Sequence, residues 1–305
     1  MNILLTGATG FVGGALLRHL KATTKHQVTV SLRQPDAAVS ALADHTILWN
    51  LTEDKPLNLE GIDCVIHAAA RVHQLRETAV DPLAEFRAVN TAGTLRLAQA
   101  AIATGVKRFV YVSTIHVNGH ERDQPYTVND LPQPTDPYGI SKWEAEQGLQ
   151  ALGEQMEVVI VRPPLVYGPD APGNFGRLVR AVERGMPLPF GKIRNRRSLI
   201  ALDNLVDFLC CVAEHPRAAG ETFLVSDGAA ISTPQLIQEI ATALQRKPRL
   251  LNMPLGLLAA VFAVAGKSTA YQRLSGSLWV DDSHLSTRLG WRPPLTTAQA
   301  MQCIA

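Results

Sequence analysis

Tyr138 and Lys142 stand four residues apart in Asp136-Pro137-Tyr138-Gly139-Ile140-Ser141-Lys142, a spacing that puts a phenol and an ammonium on one face of a helix. Asp136 is a candidate N-cap, and Pro137 suits the first helical turn. A free phenol, with a pKa of about 10, holds its proton too firmly for exchange at neutral pH. A nearby ammonium favours phenolate, so Lys142 is expected to lower the pKa of Tyr138. The hydroxyl pair Ser113-Thr114 follows a β-rich run, and Thr114 can reach the same substrate oxygen as Tyr138. An oxygen held between two such groups belongs to a carbon prepared to lose or gain a hydride.

A hydride needs a carrier, and the N-terminus has the residues for one. Thr6-Gly7-Ala8-Thr9-Gly10-Phe11-Val12-Gly13 follows a strand pattern and opens a helical one, with glycines at G-x-x-G-x-x-G. Glycine permits the tight turn and lets a pyrophosphate approach the backbone at the positive end of the helix. Gly7, Thr9, Gly10, Phe11, Val12 and Gly13 are therefore the candidate dinucleotide contacts. Sites that prefer NAD carry an acid about 20 residues further on. Here that count falls on Arg33, and the nearest acid, Asp36, lies beyond Pro35. A guanidinium suits a 2′-phosphate, so the residues favour NADP(H), with NAD(H) possible. The bland alternatives for Arg33 are a solvated loop charge or a stack on adenine.

Positioning these groups requires parallel βα units. Strand-like runs at Ile3 to Thr6, Gln27 to Leu32, Thr46 to Trp49, Cys64 to His67, Phe109 to Ser113 and Glu157 to Arg162 alternate with helical stretches at Phe11 to Ala22, Leu83 to Thr104 and Tyr138 to Gly153. The expected fold is α/β, a doubly wound parallel sheet with a smaller, interleaved α/β substrate-binding region toward the C-terminus. Proline and glycine crowd Pro163 to Gly191, marking a dinucleotide-binding domain over 1–165 and a second region over 166–305. Residues 198–226, with strand-like Leu199 to Leu202 and Thr222 to Val225 around a helical Asn204 to His215, are expected to return to the first sheet. Helices are expected at Thr233 to Gln245 and Leu255 to Ala265.

Composition removes several classes. Hydrophobic residues at 46% and charged ones at 18% exclude a disordered chain. A net charge of +2 gives little general attraction to nucleic acid or an anionic bilayer. The four cysteines, Cys64, Cys210, Cys211 and Cys303, have no metal-ligand spacing, and free thiols in a reducing cytosol are expected. No signal peptide is recognisable, and cytoplasmic localisation is expected. The charge-free run Leu250 to Gly266 is 17 residues and broken by Asn252, Pro254 and Gly256, too short to span a bilayer. Within it, Leu255 to Ala265 is expected to form a buried or interfacial helix and not a membrane attachment, with no integral membrane contact. His73, His116 and His120 lack supporting carboxylate or Cys spacing, so no metal site is expected.

Taken together, these residues resemble the extended short-chain dehydrogenase/reductases that act on nucleotide sugars, such as UDP-galactose 4-epimerase and the sugar 4,6-dehydratases. The resemblance runs through Thr6 to Gly13, Asp63 to Ala70, Asn90-Thr91-Ala92-Gly93-Thr94, Val112 to Gly119, Tyr138 to Lys142, Arg162 to Pro169 and Arg197 to Asp207. Within that family, Val112 to Gly119, Asp136 to Gln147, Gly191 to Asp207 and Phe223 to Gly228 look most like the bacterial polysaccharide-cluster reductases that form UDP-N-acetylquinovosamine. The resemblance implies Thr114, Tyr138 and Lys142 as the catalytic set, with Lys142 also holding the nicotinamide ribose. It places Asn50, Leu51, Ala68, Ala69, Ala70, Ser113 and Pro163 on the cofactor side. Asn90 would support the cofactor side or cap a helix. On the UDP-sugar side it implies Arg197 and, more weakly, Arg273 for the diphosphate, with Asn174 and Phe175 near the uridine or, for Phe175, in the core. A homodimer through the Leu83 to Thr104 and Tyr138 to Gly153 helices is also implied. Two departures stand out: Leu165 replaces an Asn that contacts phosphate in many epimerases, and Asn50 replaces an Asp that meets adenine.

The expected activity is reduction of a UDP-4-keto-6-deoxy-N-acetylhexosamine, as in O-antigen synthesis, favoured by the absence of an acid at Arg33. The alternative is a UDP-sugar 4-epimerase with tightly held NAD. A dehydratase is disfavoured because Ile115 and His116 follow Thr114 where that branch has Asp-Glu. A dinucleotide-sensing protein without chemistry is the remaining class, and the intact Thr114, Tyr138 and Lys142 set argues against it.

Overall fold

In the computed structural model, which describes residues 1–72 and 80–304, nine strands form two sheets. They are β1 (Asn2–Thr6), β2 (Gln27–Leu32), β3 (His45–Leu48), β4 (Cys64–His67), β5 (Arg108–Val112), β6 (Glu157–Arg162), β7 (Leu165–Tyr167), β8 (Leu199–Ala201) and β9 (Thr222–Leu224). Seven run parallel in the order β3-β2-β1-β4-β5-β6-β9. The strand order reverses between β1 and β4, so a crevice opens beyond their C-terminal ends. Strands with both faces covered read as unbroken apolar runs, and Cys64–His67 is accordingly buried at every position.

One face of the sheet is covered by helices Phe11–Thr23 and Leu202–Glu214, whose Leu16, Leu17, Leu20, Leu205, Phe208 and Leu209 meet Val28, Val30 and Ile66. Phe208 packs edge-on between Phe223 and Trp291, at centroid distances of 5.5 and 4.8 Å. The other face is covered by helices Thr94–Ala103 and Pro137–Gln150, which bury Leu97, Ala101, Ala145 and Leu149 against Phe109 and Ile160. A separate core joins Tyr167, Phe175, Leu199, Ile237 and Ile240.

The six expected N-terminal strands are observed with ends shifted by no more than a residue, and β9 adds a seventh beside β6. Leu199 to Leu202 departs from expectation: β8 pairs with β7 in a separate two-stranded sheet. Strand β7 hides in the proline-rich stretch after Arg162 and was not expected. Nor was the helix Gly173–Glu183, which that same composition conceals. Helices Ala37–Leu42, Ser268–Ser275, Ser283–Leu289 and Thr297–Gln302 were also not anticipated. The expected continuous helix over Leu83 to Thr104 is three segments, Pro82–Phe86, a π-helical turn Arg87–Gly93 and Thr94–Ala103. The wider turn carries Asn90 inward to bonds that an uninterrupted α-helical surface would not define.

Candidate active site

Glycine makes the first turn possible. Gly7 has φ +78°, and a Cβ there would lie 2.7 Å from Ala69 N; a Cβ on Gly13 would lie 2.2 Å from Gly7 O. The turn thus brings β1, the Ala68-Ala69 backbone and the following helix together more closely than any side chain permits. That helix begins without a side-chain cap and has no acid in its first turn, so its leading amides face the crevice uncompensated. These are the features a dinucleotide pyrophosphate requires, and the residues fit one.

The crevice is a cavity of about 830 Å³. It is lined by Gly7, Thr9, Gly10, Phe11, Val12 and Gly13 at the turn and by Arg33, Asn50 and Leu51 beyond β2 and β3. Ala68, Ala69 and Ala70 line it past β4, and Ser113, Thr114, Tyr138, Lys142 and Pro163 at its other end. Every expected cofactor residue but one is therefore in a single cavity. The exception is Asn90, which is buried and absent from the lining. Its Oδ1 accepts from Arg71 N at 2.8 Å, and its Nδ2 donates to Arg71 O and Ser141 Oγ, each at 3.0 Å. Asn90 neither caps a helix nor lines the cavity; it ties the loop after β4 to the helix carrying Tyr138.

At the outer end, Arg33 is exposed on the cavity rim. Asp36 lines the same rim, but its carboxylate accepts from Val39 N at 3.0 Å and caps the next helix. Asn50 folds its Oδ1 back onto the Thr52 amide and hydroxyl.

At the inner end, Pro137 and the Asp136 side chain start the helix as expected, with Gly139 N donating to Asp136 Oδ1 at 2.6 Å. Tyr138 and Lys142 share its cavity face. Lys142 Nζ donates to Val112 O at 2.7 Å and lies 4.2 Å from the Tyr111 ring centroid. Burial brings its pKa down to about 7 against the opposing pull of Glu146. The expected lowering of Tyr138 is not found in the protein alone. Burial, reinforced by the Asp136 charge, pushes its phenol well above the usual value, because Lys142 is turned toward the Val112 carbonyl. Among the described residues Thr114 Oγ1 accepts a single long bond, from His116 N at 3.3 Å, and so retains capacity for a ligand. Ser113 Oγ instead donates to Glu146 Oε1.

Sequence reasoning missed the group beneath this site. Glu146 is fully buried and pairs with Arg162, whose Nη1 also donates to Asn118 Oδ1 at 3.0 Å. Its signal is the Lys142-Glu146 spacing, one further turn along the same helical face. His67, also buried, lies between Thr6 Oγ1 at 2.6 Å and Thr94 Oγ1 at 2.9 Å, and burial takes its pKa down to about 3.

The expected sugar-side residues lie outside the cavity lining. Phe175 is buried in the second core against Tyr167, at 5.6 Å, so it is a packing residue and not a free stacking surface. Asn174 is exposed on the helix start beside it. Arg197 donates to Arg273 O at 2.9 Å and Gly276 O at 3.1 Å, which brings the two arginines together. Arg273 is near enough to His116 to disfavour its charged form, though burial does more. His116 and His120 converge on Asp136 Oδ2 at 3.3 and 2.7 Å, a His-His-carboxylate cluster that sequence spacing did not disclose. Burial alone would raise the Asp136 pKa, but its bonds with both histidines and Gly139 N hold it well below the carboxylate range. His73 lies outside the described residues.

The switch-point cavity, the capless glycine turn and the Tyr138-Lys142 face belong to a Rossmann-like α/β protein whose cavity fits a dinucleotide. Residues 3–226 match the NAD dependent epimerase/dehydratase family, and the chain belongs to it. It is 42% identical over 306 residues to the UDP-glucose 4-epimerase of Vibrio cholerae, covering 99% of this chain and 93% of that protein. It is 26% identical over 321 residues to the N-acetyl-alpha-D-glucosaminyl-diphospho-ditrans,octacis-undecaprenol 4-epimerase of Escherichia coli O157:H7, covering 98% and 93% respectively. The solved UDP-N-acetylglucosamine 4-epimerase from Bacillus cereus has the same fold, with a TM-score of 0.80 at 20% identity over 99% of this chain and 97% of that one.

Proposed function

We propose that the protein is a UDP-sugar 4-epimerase, with Thr114, Tyr138 and Lys142 acting at the C4 hydroxyl of the hexose. The observation that carries this reading is the 42% identity to the Vibrio cholerae UDP-glucose 4-epimerase, which extends over nearly all of both chains. It is supported by the cavity that joins an anion-binding helix start to Tyr138 and Thr114. A nicotinamide dinucleotide would supply a reversible hydride acceptor here; Gly7, Gly10 and Gly13 would hold its pyrophosphate, Lys142 its ribose, and the Ala68 to Ala70 backbone its flank. Thr114 orients the sugar O4 by hydrogen bonding, and Tyr138 takes the O4 proton and gives it back once the 4-keto sugar has presented its other face. Because burial disfavours phenolate, Tyr138 depends on positive charge brought close to it, from an oxidised nicotinamide and the Lys142 ammonium. Arg197 and Arg273 are the candidate clamps for the sugar nucleotide's diphosphate.

A second reading, NADPH-dependent reduction of a UDP-4-keto-6-deoxy-N-acetylhexosamine, is favoured by one feature. Arg33 stands on the rim where NAD sites place an acid, and the nearby Asp36 carboxylate is occupied with capping. Proton NMR of UDP-glucose and of UDP-N-acetylglucosamine incubated with the protein and a trace of NAD tests the first reading. Appearance of the C4 epimers supports it. Absence of epimers, with stoichiometric NADPH oxidation on the 4-keto sugar, establishes the reductase instead.

A further inference from the structure

The expected buried or interfacial helix of the second region is observed at Leu255–Val264, and only Leu258 on it is buried. Leu257, Val261 and Val264 are 54%, 51% and 92% exposed. Their spacing of four and seven residues, with exposed Ala260 between them, makes one outward apolar stripe. Leu258 and Phe262 face the other way and fix the helix to the protein. Leu188 pairs through its N–H with Arg249 O and through its carbonyl with Leu251 N, both at 2.8 Å, which fixes the segment leading into this helix to the protein.

Along the chain through this helix the charge is all of one sign. Between Glu239 and Asp281 the chain has no acid, whereas Arg246, Lys247, Arg249, Lys267 and Arg273 are all basic and all exposed. With a net charge of only +2 for the whole chain, acids outnumber bases elsewhere, so the cations are concentrated here. Two copies of this face would bring like charges together, which disfavours self-association through it. A ten-residue helix is about 15 Å long, half a bilayer core, and among the described residues no helix is long and apolar enough to cross a membrane. An apolar helical stripe rimmed by cations instead matches a surface that is apolar beneath and anionic above.

We propose that the Leu255–Val264 helix with its basic rim is a peripheral docking face for an anionic phospholipid bilayer. The helix lies in the plane of the interface, Leu257, Val261 and Val264 enter the acyl boundary, and Lys247, Arg249 and Lys267 meet lipid phosphates. This inference is independent of which sugar reaction the protein performs.

The test is co-sedimentation of the full chain with vesicles of phosphatidylcholine and phosphatidylglycerol in equal parts, beside vesicles of phosphatidylcholine alone. The expected result is binding to the anionic vesicles that falls as salt is raised, with little binding to the neutral ones. Val261→Asp/Val264→Asp and, separately, Lys247→Glu/Lys267→Glu should each reduce anionic binding at least about tenfold, with sugar-nucleotide turnover unchanged. The charge variant alters only exposed side chains, so it decides the matter even if the apolar variant folds poorly. Absence of vesicle binding, or binding unaffected by the charge variant, overturns the proposal. So does a dimer in free solution that Val261→Asp/Val264→Asp dissociates, because a second copy then covers the stripe.

Discussion

Glu146 and Arg162 meet beneath the site with exposures of 0% and 4%, Nη2 to Oε2 at 2.5 Å and Nε to both carboxylate oxygens at 3.1 Å. Ser113 and Asn118 complete the group, so the end of β5 and the end of β6 are tied to the helix of Tyr138 and Lys142 through one carboxylate and one guanidinium. Removing either partner leaves a charge in a place that water cannot reach. Glu146→Ala is expected to cost about 3–5 kcal/mol of stability. Urea unfolding followed by circular dichroism measures this, and a loss under about 1 kcal/mol would show that water or rearrangement compensates Arg162.

Tyr138→Phe removes the proton carrier while keeping the ring. Turnover is expected to fall about a thousandfold, within the usual range for a general acid-base group, with dinucleotide affinity changed by no more than a few-fold. Thr114→Val should lower turnover about a hundredfold by removing one of two bonds to O4. Steady-state kinetics with isothermal titration of the cofactor separate these effects, and near-normal turnover in Tyr138→Phe would remove it from the reaction.

The sheet was legible because its strands are covered on both faces: runs such as Ile3 to Thr6 and Cys64 to His67 are buried throughout and end where glycine or alanine loops begin. The Leu199 to Leu202 run carries the same signal but cannot announce which sheet it joins, since β7, its partner, is three residues among prolines. The cavity lining was legible from the glycine turn and the Tyr138-Lys142 face because backbone geometry sets both. Side-chain commitments were not. Phe175 has the right type for stacking yet is buried against Tyr167, and Asn90 has the right type for a cap yet serves Arg71 and Ser141. Such outcomes depend on neighbours distant in sequence, as with Glu146 and Arg162.

His67 gives the fold a predictable acid sensitivity. Its folded pKa of about 3 lies below the ordinary 6.5, so its contribution is fully present above about pH 6.5 and is lost progressively as pH falls toward 3. Between those limits the unfolded chain binds the extra proton. Stability should therefore drop by a few kcal/mol from pH 7 to pH 4, and His67→Gln should flatten that part of the slope. Urea midpoints over this range check the sign; an unchanged slope in the variant would assign the acid sensitivity to other groups.

Arg33 tests the cofactor reading. If it meets a 2′-phosphate, Arg33→Ala should weaken NADPH about tenfold or more while leaving NADH nearly unaffected, one charge-assisted bond being worth about 1.5–3 kcal/mol. Fluorescence titration of both cofactors measures the ratio. Equal, small losses agree with an NAD-holding epimerase in which Arg33 is a solvated rim charge.

The central claim, that a hydride leaves C4 of a UDP-hexose and returns to the same carbon within one binding event, is tested most directly with UDP-glucose and UDP-N-acetylglucosamine deuterated at C4. Product NMR is expected to show the C4-inverted sugar with deuterium retained at C4 and no net change in nicotinamide absorbance. Recovery of both substrates uninverted, while the protein oxidises NADPH against a 4-keto sugar, would contradict it.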